Sequence, residues 1–176
     1  RMVWGIPDGE EVDRLRKYHT VILDSLTEIE AQNLAKAMKL DSVGVEDAGQ
    51  IEKAGWDEFR LNNHTMQRII RAFRDLELNV IFICAQRYDQ DEMKRYHYSP
   101  ALTGKLSTQV QGFVDVVGFL QVGTNAEGKP ARRLAVQPQT GPKADAKSRF
   151  AMYKEPHFDS PVMLDLMREF GLIVKA

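Results

Sequence analysis

Cysteine is almost absent from this chain of 176 residues, since Cys84 is the only one. A single cysteine excludes an internal disulfide. Its place in the apolar run "NVIFICAQ" predicts a small buried hydrophobic side chain, typical of a protein kept under reducing conditions. No apolar stretch approaches the roughly 18–20 residues of a membrane-spanning helix, and no apolar secretion signal opens the chain. These absences predict a cytoplasmic protein with no membrane partner.

An excess of charge of either sign is also missing, because the net charge is −1. Any binding to nucleic acid or to a membrane must therefore come from a local patch. The hydrophobic content of 43% is ordinary for a soluble globular protein. The length predicts one domain over 1–176, with a core at 19–150 and a C-terminal helix and tail at 151–176. The chain opens on Arg1 rather than Met, which we interpret as an internal start, in a processed product or a fragment.

Two apolar runs predict strands that are buried on both faces, "TVIL" at 20–23 and "NVIFICAQ" at 79–86. Helices are predicted between them at 26–38 and 59–77, the second from apolar residues that repeat at helical spacing. Apolar runs separated by helices predict an α/β protein with a mainly parallel sheet flanked by helices.

The C-terminal half predicts an antiparallel strand pair from "FVDVVGFLQV" and "RRLAVQPQ", joined by the turn-rich "GTNAEGKPA". The segments 41–58 and 87–111 show no clear periodicity and are interpreted as loops. A last helix is predicted with Ser160 as its N-cap, Pro161 at its first position and Gly171 just past its end.

Polar residues follow both of the apolar runs, Asp24 after the first and Gln86 at the end of the second. Ligands of open α/β sheets bind beyond the carboxyl ends of the strands, so both residues are predicted to face one crevice. Asp24 could accept hydrogen bonds there from water bound to Mg²⁺, a cation that keeps several waters. The alternative is a structural role, in which Asp24, Ser25 or Thr27 caps the following helix.

The stretches "TVILDSLTEIE", "RDLELNVIFICAQ" and "GPKADAKSRF" resemble the second half of a RecA-like P-loop ATPase core. More narrowly, they resemble the phage nucleotide-binding AAA group, which is associated with single-strand annealing and recombination. The resemblance covers roughly residues 18–150 and rests mainly on the order of short motifs. It implies ATP and Mg²⁺ as cofactors, with Asp24 holding the metal, Ser25 beside the nucleotide and Gln86 sensing the γ-phosphate.

A P-loop is missing from these 176 residues. Its motif, G-x-x-x-x-G-K-[ST], cradles phosphates with backbone N–H groups while its Lys reaches the terminal phosphates. Of the nearest pairs, Gly104-Lys105 lacks both the upstream glycine and the trailing hydroxyl, and Gly128-Lys129 lacks the trailing hydroxyl. Too few residues precede Thr20 to hold the missing part. We interpret the chain as the C-terminal part of an ATPase core, or as a degenerate relative that cannot bind ATP tightly.

Other candidates for chemistry are weak. Glu28 and Glu30 follow the first strand and are poor substitutes for the glutamate that activates water in such enzymes. Glu30 is expected to be a solvated helix residue, whereas for Glu28 a solvated and a functional role stay open. His64 and His97 stand apart from Cys or His partners at metal-binding spacing, so zinc is not expected.

The segment 87–111 corresponds, by the resemblance, to a DNA-contacting loop of RecA-like proteins. Its rings and cations suit a single strand, because rings stack on bases while cations meet phosphates. The predicted DNA-binding residues are Arg87, Lys94, Arg95, Tyr96, Tyr98 and Lys105. Acidic residues at 89–92 nearly cancel this charge, so a solvated loop is the alternative. The acidic segment 41–58 is not expected to touch DNA, and Trp56 in it is expected to pack against the fold.

The most basic stretch runs from Lys129 to Arg149. By the resemblance, "KADAKSR" supplies cations to the nucleotide of a neighbouring subunit, with Lys147 and Arg149 acting like an arginine finger. The alternative is a solvated basic connector. Composite sites of this kind imply a homo-oligomer, either a ring or a filament.

The leading prediction is the ATP-binding, ATP-hydrolysing core of a phage-type DNA recombination or single-strand annealing protein. It would bind single-stranded DNA as an oligomer in the cytoplasm of a bacterial host. The alternative is a non-catalytic module that keeps the fold without ATP and contacts DNA or a protein through the basic stretch. A third hypothesis is a helicase or a clock-type ATPase.

Overall fold

The computed structural model combines helices and short strands and describes residues 19–40, 54–90, 94, 96–125, 127–137, 143–149 and 157–169. The helices are α1 (Leu26–Ala37), α2 (Trp56–Arg74), α3 (Leu106–Phe113) and α4 (Met163–Glu169). The strands are β1 (Thr20–Asp24), β2 (Asn79–Ile83), β3 (Gln86–Gln90), β4 (Tyr96–Pro100), β5 (Val116–Val117), β6 (Phe119–Thr124), β7 (Pro130–Ala135), β8 (Lys143–Ala144), β9 (Lys147–Ser148) and β10 (His157–Asp159).

The two predicted apolar strands, β1 and β2, pair in parallel and in register from Thr20 beside Asn79 to Asp24 beside Ile83. The prediction that both strands are buried on both faces is wrong, because Ile22 and Ile83 are exposed. Side chains from β1, α1, α2, α3 and the turn before α3 meet in one buried core. Its members are Leu23, Leu26, Met66, Ile70, Leu102, Leu106 and Val110. Full burial of such a side chain contributes on the order of 1.5–3 kcal/mol. This core therefore holds in place the end of β1 that carries Asp24.

The helix α1 agrees with its prediction to within one residue, whereas α2 begins and ends earlier than predicted, at Trp56 and Arg74. The apolar stripe of α2 is confirmed, because Met66 and Ile70 are fully buried. Trp56 does not pack as expected and is 93% exposed. It occupies the first turn of α2, ahead of the buried residues of that helix, which begin at Asn62.

The segment 87–111 is not the loop that its lack of periodicity predicted. The strands β3 and β4 form an antiparallel hairpin with Tyr88 opposite Tyr98, and α3 begins soon afterwards at Leu106. These strands carry charged and aromatic residues instead of alternating apolar ones. Stacked rings therefore supply the cross-strand contacts of this hairpin.

The predicted antiparallel strand pair is confirmed as β6 and β7, with β10 on the other side of β7. The turn between them closes when the Asn125 side chain accepts a hydrogen bond from the backbone N–H of Lys129 at 2.9 Å. The prediction of a mainly parallel sheet is wrong for the described strands. Parallel pairing joins β1 to β2 and β4 to β8, and the other described pairs are antiparallel. Short connections favour hairpins over parallel crossovers.

The helix α4 begins at Met163, later than the predicted start at Ser160 and Pro161. The backbone N–H of Ser160 instead donates to the carbonyl oxygen of Arg132 at 2.6 Å, which extends the pairing of β10 with β7. Gly171, Arg95 and the segment 41–53 lie outside the described residues. Within the described part, no helix combines the length and the apolar character that crossing a membrane requires.

Candidate nucleotide site

Asp24 ends β1 at an exposed position, beside the last residue of β2. Among the residues that the structure describes, none forms a hydrogen bond or an ion pair with its carboxylate. The peptide bond that joins Asp24 to Ser25 is cis. An exposed carboxylate without a partner at the carboxyl end of a parallel strand is available to a ligand that approaches this edge.

Ser25 caps α1, as one of the open alternatives proposed. Its Oγ accepts a hydrogen bond from the backbone N–H of Glu28 at 3.2 Å, so a backbone donor at the helix N-terminus is satisfied. Thr27 has a different role, because its Oγ1 accepts from the backbone N–H of Ala85 at 3.1 Å. That bond ties the start of α1 to the chain just after β2. The predicted contact of Ser25 with a nucleotide stays a prediction.

Gln86 was predicted to end the second strand, and that position is wrong. The strand β2 ends at Ile83, and Gln86 is the first residue of β3, opposite Pro100. The run breaks at Ala85 because its N–H bonds to Thr27 and its carbonyl oxygen accepts from Ala101. Gln86 therefore stands beyond the end of β2, in the lining of a groove described below. Its predicted role as a γ-phosphate sensor stays a prediction.

Cys84 lies between β2 and Gln86 and is partly buried. Burial is the main cause that raises the pKa of its thiol from an ordinary 9.0 to about 11, and the negative charge of Glu30 acts in the same direction. A thiol with so high a pKa is a poor nucleophile at neutral pH. This agrees with the prediction of a hydrophobic role more than a reactive one.

Glu30 was expected to be solvated, and the structure corrects this, because the residue is only 4% exposed. Its carboxylate accepts hydrogen bonds from the backbone N–H of Thr103 at 3.0 and 3.1 Å and from the Thr103 hydroxyl at 2.6 Å. The side-chain amide of Asn62 donates to it at 3.1 Å. The buried carboxylate thus joins α1, α2 and the turn before α3.

A sequence signal for this junction was available. Glu30 stands one helical turn after Leu26 and one turn before Leu34, both of which are buried. Residues at that spacing share a helix face, so Glu30 had to face the core. Asn33 extends the network, because its amide donates to the Asn62 side-chain oxygen at 2.6 Å. An acidic residue on the buried face of a helix requires donors on the neighbouring elements, and here Asn62 and Thr103 provide them.

The predicted DNA-binding residues differ in their contacts within the chain. Arg87 donates to the carbonyl oxygen of Leu102 at 3.0 Å, so it fastens the hairpin to the turn before α3. Tyr96 and Tyr98 both contact the ring of Tyr88, at centroid distances of 4.7 and 4.8 Å. Lys94 and Lys105 are exposed. DNA binding by these residues stays a prediction.

The two predicted trans-acting cations, Lys147 and Arg149, lie on and just after β9, which pairs with β5. Arg149 forms an ion pair with Asp115 at 3.1 Å and donates to the carbonyl oxygen of Gly112 at 2.7 Å. Partial burial and the neighbouring Arg149 lower the pKa of Lys147. The Arg149–Asp115 pair is exposed, and exposed pairs contribute only about 0–1 kcal/mol. A phosphate could therefore compete for the guanidinium at little cost.

The residues at the Asp24 edge fit one side of a Mg²⁺–nucleotide site. In the described part of the chain, no group of three or more His, Cys, Asp or Glu side chains gathers as a metal cluster. Mg²⁺ suits such a place, because it is usually bound through one or two carboxylates, several waters and the phosphates of a substrate. Asp24 offers one carboxylate, and the Ser25 hydroxyl beside it is already used by the helix cap.

Comparison with known proteins gives one result. A family model described as "AAA domain" matches residues 10–150. The matched stretch contains Asp24, Gln86, Lys147 and Arg149, which are the predicted catalytic residues. The family is one of AAA-type P-loop ATPases, which generally use ATP and Mg²⁺. No curated protein and no solved structure matches the chain.

Proposed function

The chain belongs to the AAA domain family, and on that premise we propose that it carries the Mg²⁺ side of the ATP site of a DNA-directed ATPase. The DNA-directed activity we propose is phage-type recombination or single-strand annealing. The observation that carries the proposal is Asp24, an exposed acid without a described partner at the end of the parallel strand β1, inside the matched stretch. Because no described residue bonds to its carboxylate, a ligand role is favoured over a structural one.

In this proposal, Asp24 accepts hydrogen bonds from the water shell of Mg²⁺, and Ser25 keeps α1 capped behind it. Bound Mg²⁺ neutralises phosphate charge and orients the phosphates for attack. The core beneath β1 keeps the Asp24 carboxylate in place, because Leu23 and Leu26 on either side of it are buried. These 176 residues contain no G-x-x-x-x-G-K-[ST] motif, so the proposal assigns this chain no phosphate-cradling loop.

Lys147 and Arg149 are proposed to act on the nucleotide of a neighbouring subunit in a ring or a filament. Arg149 is exposed and its present partner, Asp115, is exposed as well. A phosphoryl group carries more charge than one carboxylate and forms stronger hydrogen bonds with a guanidinium. Exchange of Asp115 for a phosphate would move Arg149 from a contact within its own chain to one between chains.

A second candidate is a non-catalytic module that binds DNA or a protein without ATP. The observation that favours it is the position of Arg149, which is engaged within its own chain. The two candidates differ in one requirement, because only the ATPase needs the Asp24 carboxylate. Substitution of that residue therefore separates them.

The test is ATP hydrolysis by the full-length protein and its Asp24→Asn variant, with Asp57→Asn as the matched control. Asp57 is also an exposed aspartate, at the start of α2, and its only described partner is Arg60. We expect Asp24→Asn to lower the hydrolysis rate roughly 100-fold, because metal ions contribute several kcal/mol to such reactions. Arg149→Ala should lower it as well. Unchanged hydrolysis in both Asp24→Asn and Arg149→Ala would reject the roles assigned to these two residues, whereas absence of hydrolysis by the full-length wild type would favour the module.

A further inference from the structure

A groove of about 460 Å³ opens beside β6, and Asp24 is not among the residues that line it. The strand β6 is the outer strand of its described sheet, in which the order is β10, β7, β6. The groove faces the β3–β4 hairpin and is lined by Gln86, Tyr98, Phe119, Leu120, Gln121, Val122 and Arg132. Apart from Gln86 and Tyr98, these residues belong to no site proposed above.

A continuous row of rings leads into this groove. Tyr96 stacks on Tyr88 with centroids 4.7 Å apart and planes 3° from parallel. Tyr88 then contacts Tyr98 at 4.8 Å, and Tyr98 contacts Phe119 at 5.1 Å. Although the rings touch, Tyr88 and Tyr96 remain 50% and 48% exposed. The row therefore crosses from the hairpin to β6 as an aromatic surface open to a ligand.

The wall of the groove on β6 reverses the usual pattern of a strand at a protein surface. Leu120 and Val122 are 56% and 77% exposed, whereas the polar Gln121 between them is less exposed. Strands normally bury their apolar face and expose their polar one. Leu120 and Val122 line the same groove as Tyr98 and Phe119, although side-chain alternation along β6 places them on the face of the strand opposite to Phe119. The groove therefore follows the outer edge of β6.

A single cation without a described partner completes the groove. Arg132 lies opposite Val122 in the β6–β7 pair and is exposed. Its guanidinium makes no hydrogen bond or ion pair with any part of the chain that the structure describes. Arg133 differs, because it pairs with Asp159 at 2.7 Å and donates to the Thr124 carbonyl oxygen at 3.0 Å. The groove thus offers one positive charge for an anion.

We infer that this groove and its row of rings bind single-stranded nucleic acid. A base would stack on Phe119 at the end of the row, because the Tyr98 ring already packs between Tyr88 and Phe119. Leu120 and Val122 would cover the sugar and the base edge, and Arg132 would meet a phosphate. Rings plus cations are the features by which proteins hold single strands without reading their sequence. A peptide strand would use the outer edge of β6 but has no need of Arg132. The inference rests on the proposed DNA-directed function. It assigns the main DNA contacts to residues of the groove and not to Lys94 or Lys105.

The test measures fluorescence anisotropy of a labelled oligothymidine with the full-length protein and no nucleotide. Arg132→Gln is compared with Lys129→Gln, which removes the same charge from the same hairpin, where Lys129 pairs with Glu127. We expect Arg132→Gln to weaken binding and to lower the slope of log affinity against log salt by about 0.7. Phe119→Leu, which removes the stacking ring and keeps an apolar side chain, should weaken binding about five- to 150-fold. Lys129→Gln should change neither quantity.

The same variants separate this inference from the ATPase proposal. Basal ATP hydrolysis of Arg132→Gln should match the wild-type rate, because Arg132 has no role in the proposed catalytic site. Equal DNA affinities for Arg132→Gln, Phe119→Leu and Lys129→Gln would show that DNA does not bind in the groove, even if the wild type binds DNA and hydrolyses ATP. Wild-type hydrolysis without any DNA binding would also overturn it and leave the ATP site standing. Loss of self-association in Val122→Lys, with DNA binding intact, would assign the groove to a second copy of the chain instead.

Discussion

Asp24 and Glu30 are acids at the start of the same strand–helix unit, and their surroundings are opposite. Asp24 is exposed, and no residue in the described part of the chain bonds to it. Glu30 is 4% exposed and accepts hydrogen bonds from Thr103 and Asn62. The buried acid has its lone pairs occupied by its own chain, whereas the exposed acid has them available for a ligand. Of the two, Glu30 is therefore the structural acid and Asp24 is the functional candidate.

The largest effect is expected where the buried acid is removed. In Glu30→Ala, the Asn62 amide and the Thr103 hydroxyl and N–H lose their acceptor in a buried place. We expect a loss of about 3–5 kcal/mol in the free energy of unfolding, because hydrogen bonds to charged groups contribute about 1.5–3 kcal/mol each. Urea unfolding of the full-length protein measures it. Glu28→Ala, an exposed glutamate on the same helix, is the control and should cost no more than about 1 kcal/mol. Equal losses of unfolding free energy in Glu30→Ala and Glu28→Ala would contradict the structural role of Glu30.

An intermediate effect on stability is expected from ionisation of Cys84. Its thiol forms a hydrogen bond with Thr27, and the negative charge of Glu30 raises the pKa of that thiol. Because the folded-state pKa is raised to about 11 from 9.0, the folded protein favours the neutral thiol. The resulting stability is fully present below about pH 9 and is lost as the pH rises through 11. At pH 8, alkylation of Cys84 by iodoacetamide should be roughly 100-fold slower in the folded protein than in urea. Peptide mass spectrometry measures both rates, and similar rates would contradict the burial of this thiol.

The smallest effect is expected at Ser25, between the two acids. Ser25→Ala removes the acceptor for the Glu28 N–H, and loss of such a cap typically costs about 1 kcal/mol. Ser25→Asp should recover most of that stability, because aspartate also caps helices well. Thermal unfolding of both variants checks this. A loss of several kcal/mol in Ser25→Ala would mean that this hydroxyl does more than cap α1.

The sequence predicted those parts that apolar pattern determines. The strands around Leu23 and Phe82 and the helix stripe of Met66 and Ile70 follow from apolar patterns that burial enforces, whereas the β6–β7 pair follows from the turn-rich segment between its strands. The position of Asp24 at a strand end followed from the same pattern. Local apolar spacing is a reliable guide here because these elements are held by burial.

Features that depend on contacts between distant residues were not predictable in the same way. Tyrosine rings stabilise the β3–β4 hairpin, and its strands show no apolar alternation. Gln86 lies outside the strand in which it was predicted, because the N–H of Ala85 donates to Thr27 and ends that strand earlier. Glu30 was misread because its donors, Asn62 and Thr103, lie far along the chain. Its spacing from Leu26 and Leu34 was the one local signal that could have corrected that reading.

The central claim, that Asp24 faces a Mg²⁺–nucleotide, is tested most directly by metal binding. Mn²⁺ replaces Mg²⁺ as a spectroscopic reporter, and electron paramagnetic resonance counts the bound ion in the presence of a slowly hydrolysed ATP analogue. The account predicts that Asp24→Asn in the full-length protein weakens nucleotide-dependent Mn²⁺ binding by about 10–100-fold, whereas Asp57→Asn leaves it unchanged. Equal Mn²⁺ affinity in the wild type and in Asp24→Asn would contradict the account.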